Sequence, residues 1–198
     1  LRTQESGYLL KVAPDELDLH RFDQLVDQAH QAMATGGLEP AAGTLRQALA
    51  LWHGAALANL PPGLAVDAER ARLEEARLVV LEERLEVDLR LGRHAQLVGE
   101  LEALVAAHPD RECLRRQLML ALYRSGRSAK ALTVYRNTRK ILVEELGLEP
   151  SPTLQRLERA ILRADPALEP ALPAAGAMVD EPGSGYGPCE LPPDIEDF

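Results

Sequence analysis

The chain is poor in the residues that build most catalytic and metal centres. It has two cysteines in 198 residues, Cys113 and Cys189, far apart and neither beside another at zinc spacing. A disulfide framework is therefore not expected, and the usage fits a reducing cytoplasm. The five histidines (20, 30, 53, 94 and 108) form no HExxH pair, so the helix of a zinc hydrolase is absent. No GxxxxGK[ST] phosphate loop occurs. Gly183-Ser184-Gly185-Tyr186-Gly187 follows no strand and opens no helix, so it reads as linker and not as a dinucleotide turn. Ser125, Ser128 and Cys113 have no triad partner that spacing reveals. No enzyme, cofactor or metal is expected.

Other scarcities bound the fold. Aromatic residues are 4% of the chain, while leucine and alanine dominate, which suits helix packing better than a β-sandwich. No run of about 18 apolar residues is available to cross a membrane. Neither a signal peptide nor an initiator methionine is present, which is the look of a fragment. The net charge of −9 is uneven. Residues 165–198 carry eight acids and no lysine or arginine, together with seven of the fourteen prolines. That tail reads as an acidic, disordered linker, because it lacks the apolar bulk for a core. The rest of the chain is close to neutral.

What is present is helical periodicity with an echo. Gly92-Arg93-His94-Ala95 returns as Gly126-Arg127-Ser128-Ala129, 34 residues later. That is the period of a tetratricopeptide (TPR) repeat, two antiparallel helices per unit, with a glycine in the intra-pair turn where positive φ is cheap. Leu97, Val98 and Leu101 are answered by Ala131, Leu132 and Tyr135. Pro109 closes the first copy. Val143 replaces it in the second, whose helix runs on to Leu146 and a Gly147 cap, as a terminal repeat would. Helices are expected over about 18–34, to Trp52, 66–91, 94–107, 112–125, 128–146 and, after Glu149-Pro150-Ser151-Pro152, to about Ala164. The longest carries two apolar stripes. Leu73, Ala76, Val80, Val87 and Leu91 form one, and Leu78, Leu81, Leu85 and Leu89 the other, so it should pack between two neighbours. Its acids Glu82, Glu83 and Glu86, interleaved with Arg84 and Arg90, read as a solvated face. The fold class is thus an all-α, TPR-like solenoid of about seven helices. A short β-hairpin over 1–12 precedes it.

Residues 111–140 hold nine bases against one acid, Glu112. Arg115, Arg116, Arg124, Arg127, Lys130, Arg136, Arg139 and Lys140 are the candidate partner-binding residues. Two readings stand side by side: contact with phosphates or an acidic protein surface, or internal pairing with acids of the 66–91 helix or the tail. Lys130, Arg136 and Lys140 avoid the Leu132, Tyr135, Leu142, Leu146 stripe and should point outward. Leu118 and Leu132 should be core.

Three stretches carry a resemblance: LRQALALWHGAAL (45–57), AERARLEEARLVVLEERLEVDLRLGRHAQLVGELEALVAAHP (68–109) and LRRQLMLALYRSGRSAKALTVYRNTRKILVEELGLEPSPTLQRLERAIL (114–162). They resemble the bacterial transcriptional activator domain of the actinobacterial antibiotic regulatory protein (SARP) family. The resemblance implies three parts: the end of an OmpR-type winged-helix DNA-binding domain at 1–12, the activation domain at 13–164, and a linker at 165–198. The ending from Cys189 to Phe198 is similar to the entry into the ATPase domain of the large, AfsR-like members. The family's role implies an activator of secondary-metabolite genes that meets RNA polymerase holoenzyme. It implies promoter DNA held by the missing upstream winged helix, and homo-oligomers on tandem DNA repeats. A ligand- or peptide-sensing module controlling a neighbouring ATPase domain is the alternative.

Overall fold

The computed structural model describes residues 2–4, 7–9, 12–13 and 17–169. Two short strands, β1 (Arg2–Gln4) and β2 (Gly7–Leu9), pair antiparallel with Thr3 opposite Tyr8. Seven α-helices follow among the described residues: α1 (Asp18–Ala34), α2 (Leu38–Ala50), α3 (Leu64–Arg90), α4 (His94–Ala107), α5 (Glu112–Arg124), α6 (Ser128–Leu146) and α7 (Pro152–Leu162). The architecture is all-α and TPR-like, with helices packed against their neighbours in chain order. The tail expected to be a linker lies, from residue 170 onward, outside the described residues, as do residues 5–6, 10–11 and 14–16.

One turn chemistry recurs. Gly36, Gly92, Gly126 and Gly147 have φ of +82°, +78°, +73° and +66°. After Gly147 the next residue's N–H reaches back six residues, Leu148 to Leu142; after the other three it reaches back five: Gly37 to Ala32, Arg93 to Asp88 and Arg127 to Leu122. This is the Schellman closure, in which a left-handed residue lets the chain satisfy a carbonyl the helix end leaves open. A Cβ would meet no heavy atom at Gly92 or Gly126, so the glycines are required by backbone conformation and not by space. The Gly36 turn joins α1 to α2 in the same way as the two 34-residue copies, so the first pair shares the repeat's device at a different spacing.

Two apolar cores lie on either side of α3. Val80 and Val87, with Ala76 and Leu91, pack with Phe22, Ala29, Ala42, Leu45 and Ala48 from α1 and α2. Leu85 and Leu89, with Leu78 and Leu81, pack with Leu97, Leu101, Leu114, Leu118 and Leu122. The two stripes read from the sequence are thus buried against different neighbours, except that Leu73 joins neither core and faces the α2–α3 loop. α2 stops at Ala50, two residues short of expectation. Trp52 lies past its end, edge-on to Phe22 at 5.5 Å between centroids and under the Arg77 guanidinium at 5.3 Å. The ring is half-buried, and its packing role stands.

The face read as solvated is the main correction to helix α3. Arg84 is 7% exposed and Asp88 1%. Asp88 accepts from Arg46 of α2 (2.5 Å) and from Arg93 in the following turn (2.7 Å), and Arg84 lies 3.4 Å away on its own helix. Arg84 also donates to both oxygens of Glu100 on α4, and Arg93 to Glu39 on α2. A helical wheel cannot show this, because the partners that permit burial come from α2 and α4. The packed structure also runs beyond the last helix. Leu168, in a 3-10 turn (Pro166–Leu168), joins the second core.

Leu118 is 4% exposed, whereas Leu132 is only partly buried. Leu118→Ala should cost roughly 2–5 kcal/mol, and Leu132→Ala clearly less, both read from denaturant melts. Asp88→Asn should cost about 3–5 kcal/mol, because it strips the shared carboxylate from a buried arginine and two half-exposed ones. A melting curve coincident with the parent's would contradict that assignment.

Candidate interaction surface

The basic segment 111–140 spans α5, the Gly126 turn and most of α6, and its residues meet different fates. Arg111 lies 2.7 Å from Glu75 and 3.4 Å from Glu82 of α3. Arg116 donates to Glu86 at 2.7 Å. Burial opposes the charge of both guanidinium groups, but the carboxylates more than compensate and raise their pKa. These two follow the internal-pairing reading, since α5 packs against α3 and faces its acids. Lys130 meets Glu102 of α4 at 2.6 Å, and Arg139 grips Glu149 with two bonds of 2.8 and 2.7 Å. Both of these pairs stay exposed to water, where an ion pair contributes little.

Arg115 and Arg124 depart from the expectation of a surface cluster. Arg115 is 4% exposed, and its Nη1 has no hydrogen-bond partner. Burial lowers its pKa, with Glu112 and Asp110 acting the other way at longer range. Arg124 is half-buried and donates to two backbone carbonyls, Leu168 at 2.7 Å and Leu89 at 2.9 Å. Desolvation lowers its pKa too, since its hydrogen-bond partners are neutral. It ties the end of α3 to the 3-10 turn after α7. Sequence could not reveal this, because both acceptors are main-chain atoms.

Three bases remain available. Arg127 and Lys140 have no side-chain partner among the described residues, and Arg136 bonds only to Leu132 O (3.4 Å) and Thr133 Oγ1 (3.1 Å) of its own helix. All three are exposed, as is Lys130; of these, Lys130, Arg136 and Lys140 are the ones expected to point outward, off the apolar stripe. Arg136 and Lys140 are four residues apart, so their charges sit side by side on α6, which mildly disfavours the helix. Ala129, Thr133 and Asn137 share that exposed strip. The arrangement can attract and hold an anionic surface. It holds no general base or nucleophile. Among the described residues no cluster of His, Cys, Asp and Glu could hold a metal ion, and no helix is long and apolar enough to cross a membrane.

The model of the bacterial transcriptional activator domain matches residues 17–162, from just before α1 to the last residue of α7. The chain belongs to that family. The chain is similar to the regulatory protein DnrI of Streptomyces peucetius, which is 50% identical over 90% of this chain and 66% of its own length. The regulatory protein AfsR of Streptomyces coelicolor is 46% identical over all of this chain but only 20% of its own length. The chain thus spans less than two thirds of either relative. Among solved structures, Mycobacterium tuberculosis EmbR in complex with a low affinity phosphopeptide superposes with a TM-score of 0.77 at 35% identity. The match covers 82% of this chain and 43% of that one. The family places this domain among transcriptional activators of the SARP type and not among enzymes.

The two kinds of arginine in the segment are separable by stability. Arg124→Met should lose about 1.5–3 kcal/mol, since it abandons two charge-assisted bonds to carbonyls. Arg136→Ala should stay within about 0.5 kcal/mol of the parent. Thermal melts of the two variants, with helicity followed by circular dichroism, check the ranking.

Proposed function

We propose that this activator domain is the protein-contacting part of a promoter-bound regulator of secondary-metabolite genes, and that RNA polymerase holoenzyme is what it contacts. The observation that carries the reading is the exposed strip of α6. Arg136 and Lys140 lie side by side with no carboxylate partner, and Arg127 stands at the helix's start. A rigid, half-buried helix presents them, so little conformational freedom is lost when an acidic surface docks. Such charges act chiefly on association rate and orientation. Affinity then comes from multivalency: a winged helix upstream, of which the β1–β2 hairpin would be the end, holds promoter DNA. Contact here raises the local concentration of polymerase. Self-association on tandem DNA repeats would multiply both effects, and an ATPase domain downstream would regulate them.

The test is a triple substitution, Arg127→Glu, Arg136→Glu and Lys140→Glu, in the full-length regulator. Arg124 is left intact because it supports the fold. Melting should change little, polymerase recruitment to the promoter should fall, and the parent's recruitment should weaken steeply with salt. A stable triple variant that recruits and activates like the parent would end the proposal. The present chain alone should retard DNA weakly and without sequence preference, because base readout needs an element seated in a groove and the exposed bases of α6 offer charge for phosphates only. Sequence-selective retardation would contradict this.

One observation favours ligand sensing as a second reading. A cavity of about 620 Å³ lies between the start of α1 and the α2–α3 loop, walled by Phe22, Trp52, Leu57 and Leu73, with Asp18 and His53 among its polar groups. Its size suits a small apolar ligand. Because Trp52 is the one tryptophan in the chain, occupancy should shift the emission, and a screen in which no ligand moves it would count against sensing.

A further inference from the structure

A second recess lies between α5 and α7. Its volume is about 350 Å³. Arg116 and Arg124 project from one wall and Arg156 from the other, over a floor that includes Leu120, Leu157 and Leu168. None of the described residues lining it is acidic. Of the three guanidinium groups, only Arg116 has a carboxylate partner, Glu86. Arg124 bonds to main-chain oxygens, and Arg156 to the Thr153 hydroxyl at 3.2 Å. The groove therefore pairs an apolar floor with cationic walls and calls for a segment that is apolar on one side and anionic on the other.

The sequence that leaves the fold supplies such a segment within reach. Leu168 and Ala167 form part of the groove itself, and Arg124 holds Leu168 by its carbonyl. The chain therefore departs from the groove's rim. The following residues have no lysine or arginine, and after Glu169 their first acids are adjacent, Asp180 and Glu181, preceded by Met178-Val179. A coil of eleven residues spans about 18 Å on average and at most roughly 36 Å. The groove runs beside α7, whose eleven residues measure about 16 Å. A tether of that length places the segment at millimolar effective concentration, where even a weak pairing is occupied.

We propose that the α5–α7 groove is the acceptor for the chain's own Met178–Glu181 segment, with Asp180 and Glu181 meeting Arg124 and Arg156 and the two apolar side chains covering Leu120 and Leu157. The contact is intramolecular, reversible and weakened by salt. It does not use Arg127, Arg136 or Lys140 of α6, so it stands or falls separately from the polymerase contact.

Nuclear magnetic resonance on the full chain tests it. Cys113→Ser leaves Cys189 as the site for a nitroxide, eight residues past Glu181, a separation of about 16 Å for a coil of that length. The nitroxide should broaden the amide signals of Leu120, Arg156 and Leu157. Broadening should vanish in Asp180→Lys/Glu181→Lys, which leaves the folded domain untouched. It should vanish again in Arg156→Glu, whose side chain bonds only within α7, and at high salt in the parent. Broadening spread evenly over the surface, centred on α6, or indifferent to the charge swaps would overturn the proposal. So would broadening that appears only between a labelled and an unlabelled molecule, which would assign the groove to a second copy.

Discussion

A single helix has to serve two cores, and the rest of the fold follows from that constraint. α3 is buried on opposite sides, by α1 and α2 along one stripe and by α4 and α5 along the other. Apolar residues on two faces of this 27-residue helix confine its many charges to the strips between its neighbours. Apart from the exposed Arg90, the charges near its C-terminus are consequently buried or half-buried, and Asp88 becomes a junction for arginines from α2, α3 and the Gly92 turn. Desolvation is tolerable there because each buried charge meets its opposite and the carboxylate is shared. The same constraint shapes α5, whose Arg116 must answer an acid of α3, and it is why much of the basic segment is internal.

How legible this was in the sequence depended on the distance between cause and effect. The helix limits, the glycine turns and the two stripes of α3 are local consequences of period and backbone conformation, and they could be read directly. Leu118 was read as core and is. Leu132, placed by analogy with the other copy, is only half-covered, because among the described residues α6 packs chiefly against α5 and α7. The charges were harder. Whether a base meets solvent, a carboxylate or a carbonyl is often decided far along the chain, 28 positions away for Lys130 with Glu102 and 54 for Arg93 with Glu39. Of the eight bases singled out, Arg115 and Arg124 serve the interior and Arg116 pairs with α3. The surface cluster is correspondingly smaller than the sequence suggested, and Arg156, outside the basic segment, was missed because it acts with α5 only once α7 has folded back.

Family membership and geometry bear on different questions. The match over residues 17–162 says what kind of domain this is. The geometry says where such a domain could be touched. Exposed bases without partners occur on α6, the arginine-walled recess lies between α5 and α7, and the apolar cavity lies near Trp52. These three places are far enough apart in composition to receive different chemistries: an acidic surface, an anionic and apolar strand, and a small apolar molecule.

The Schellman turns also give the array a common address system. The residue after each turn glycine occupies the same place relative to its helix pair, and in the two 34-residue copies that place is held by Arg93 and Arg127. Counting back five residues reaches Asp88 in one copy and Leu122 in the other. Where the acid is present, the arginine folds inward and becomes mortar between helices. Where leucine replaces it, the identical arginine is set free to face outward. A single letter, one turn of helix upstream, thus converts an internal strut into a display position without rebuilding the turn. Repeats of this sort can gain or retire a contact site by editing the acid and not the arginine.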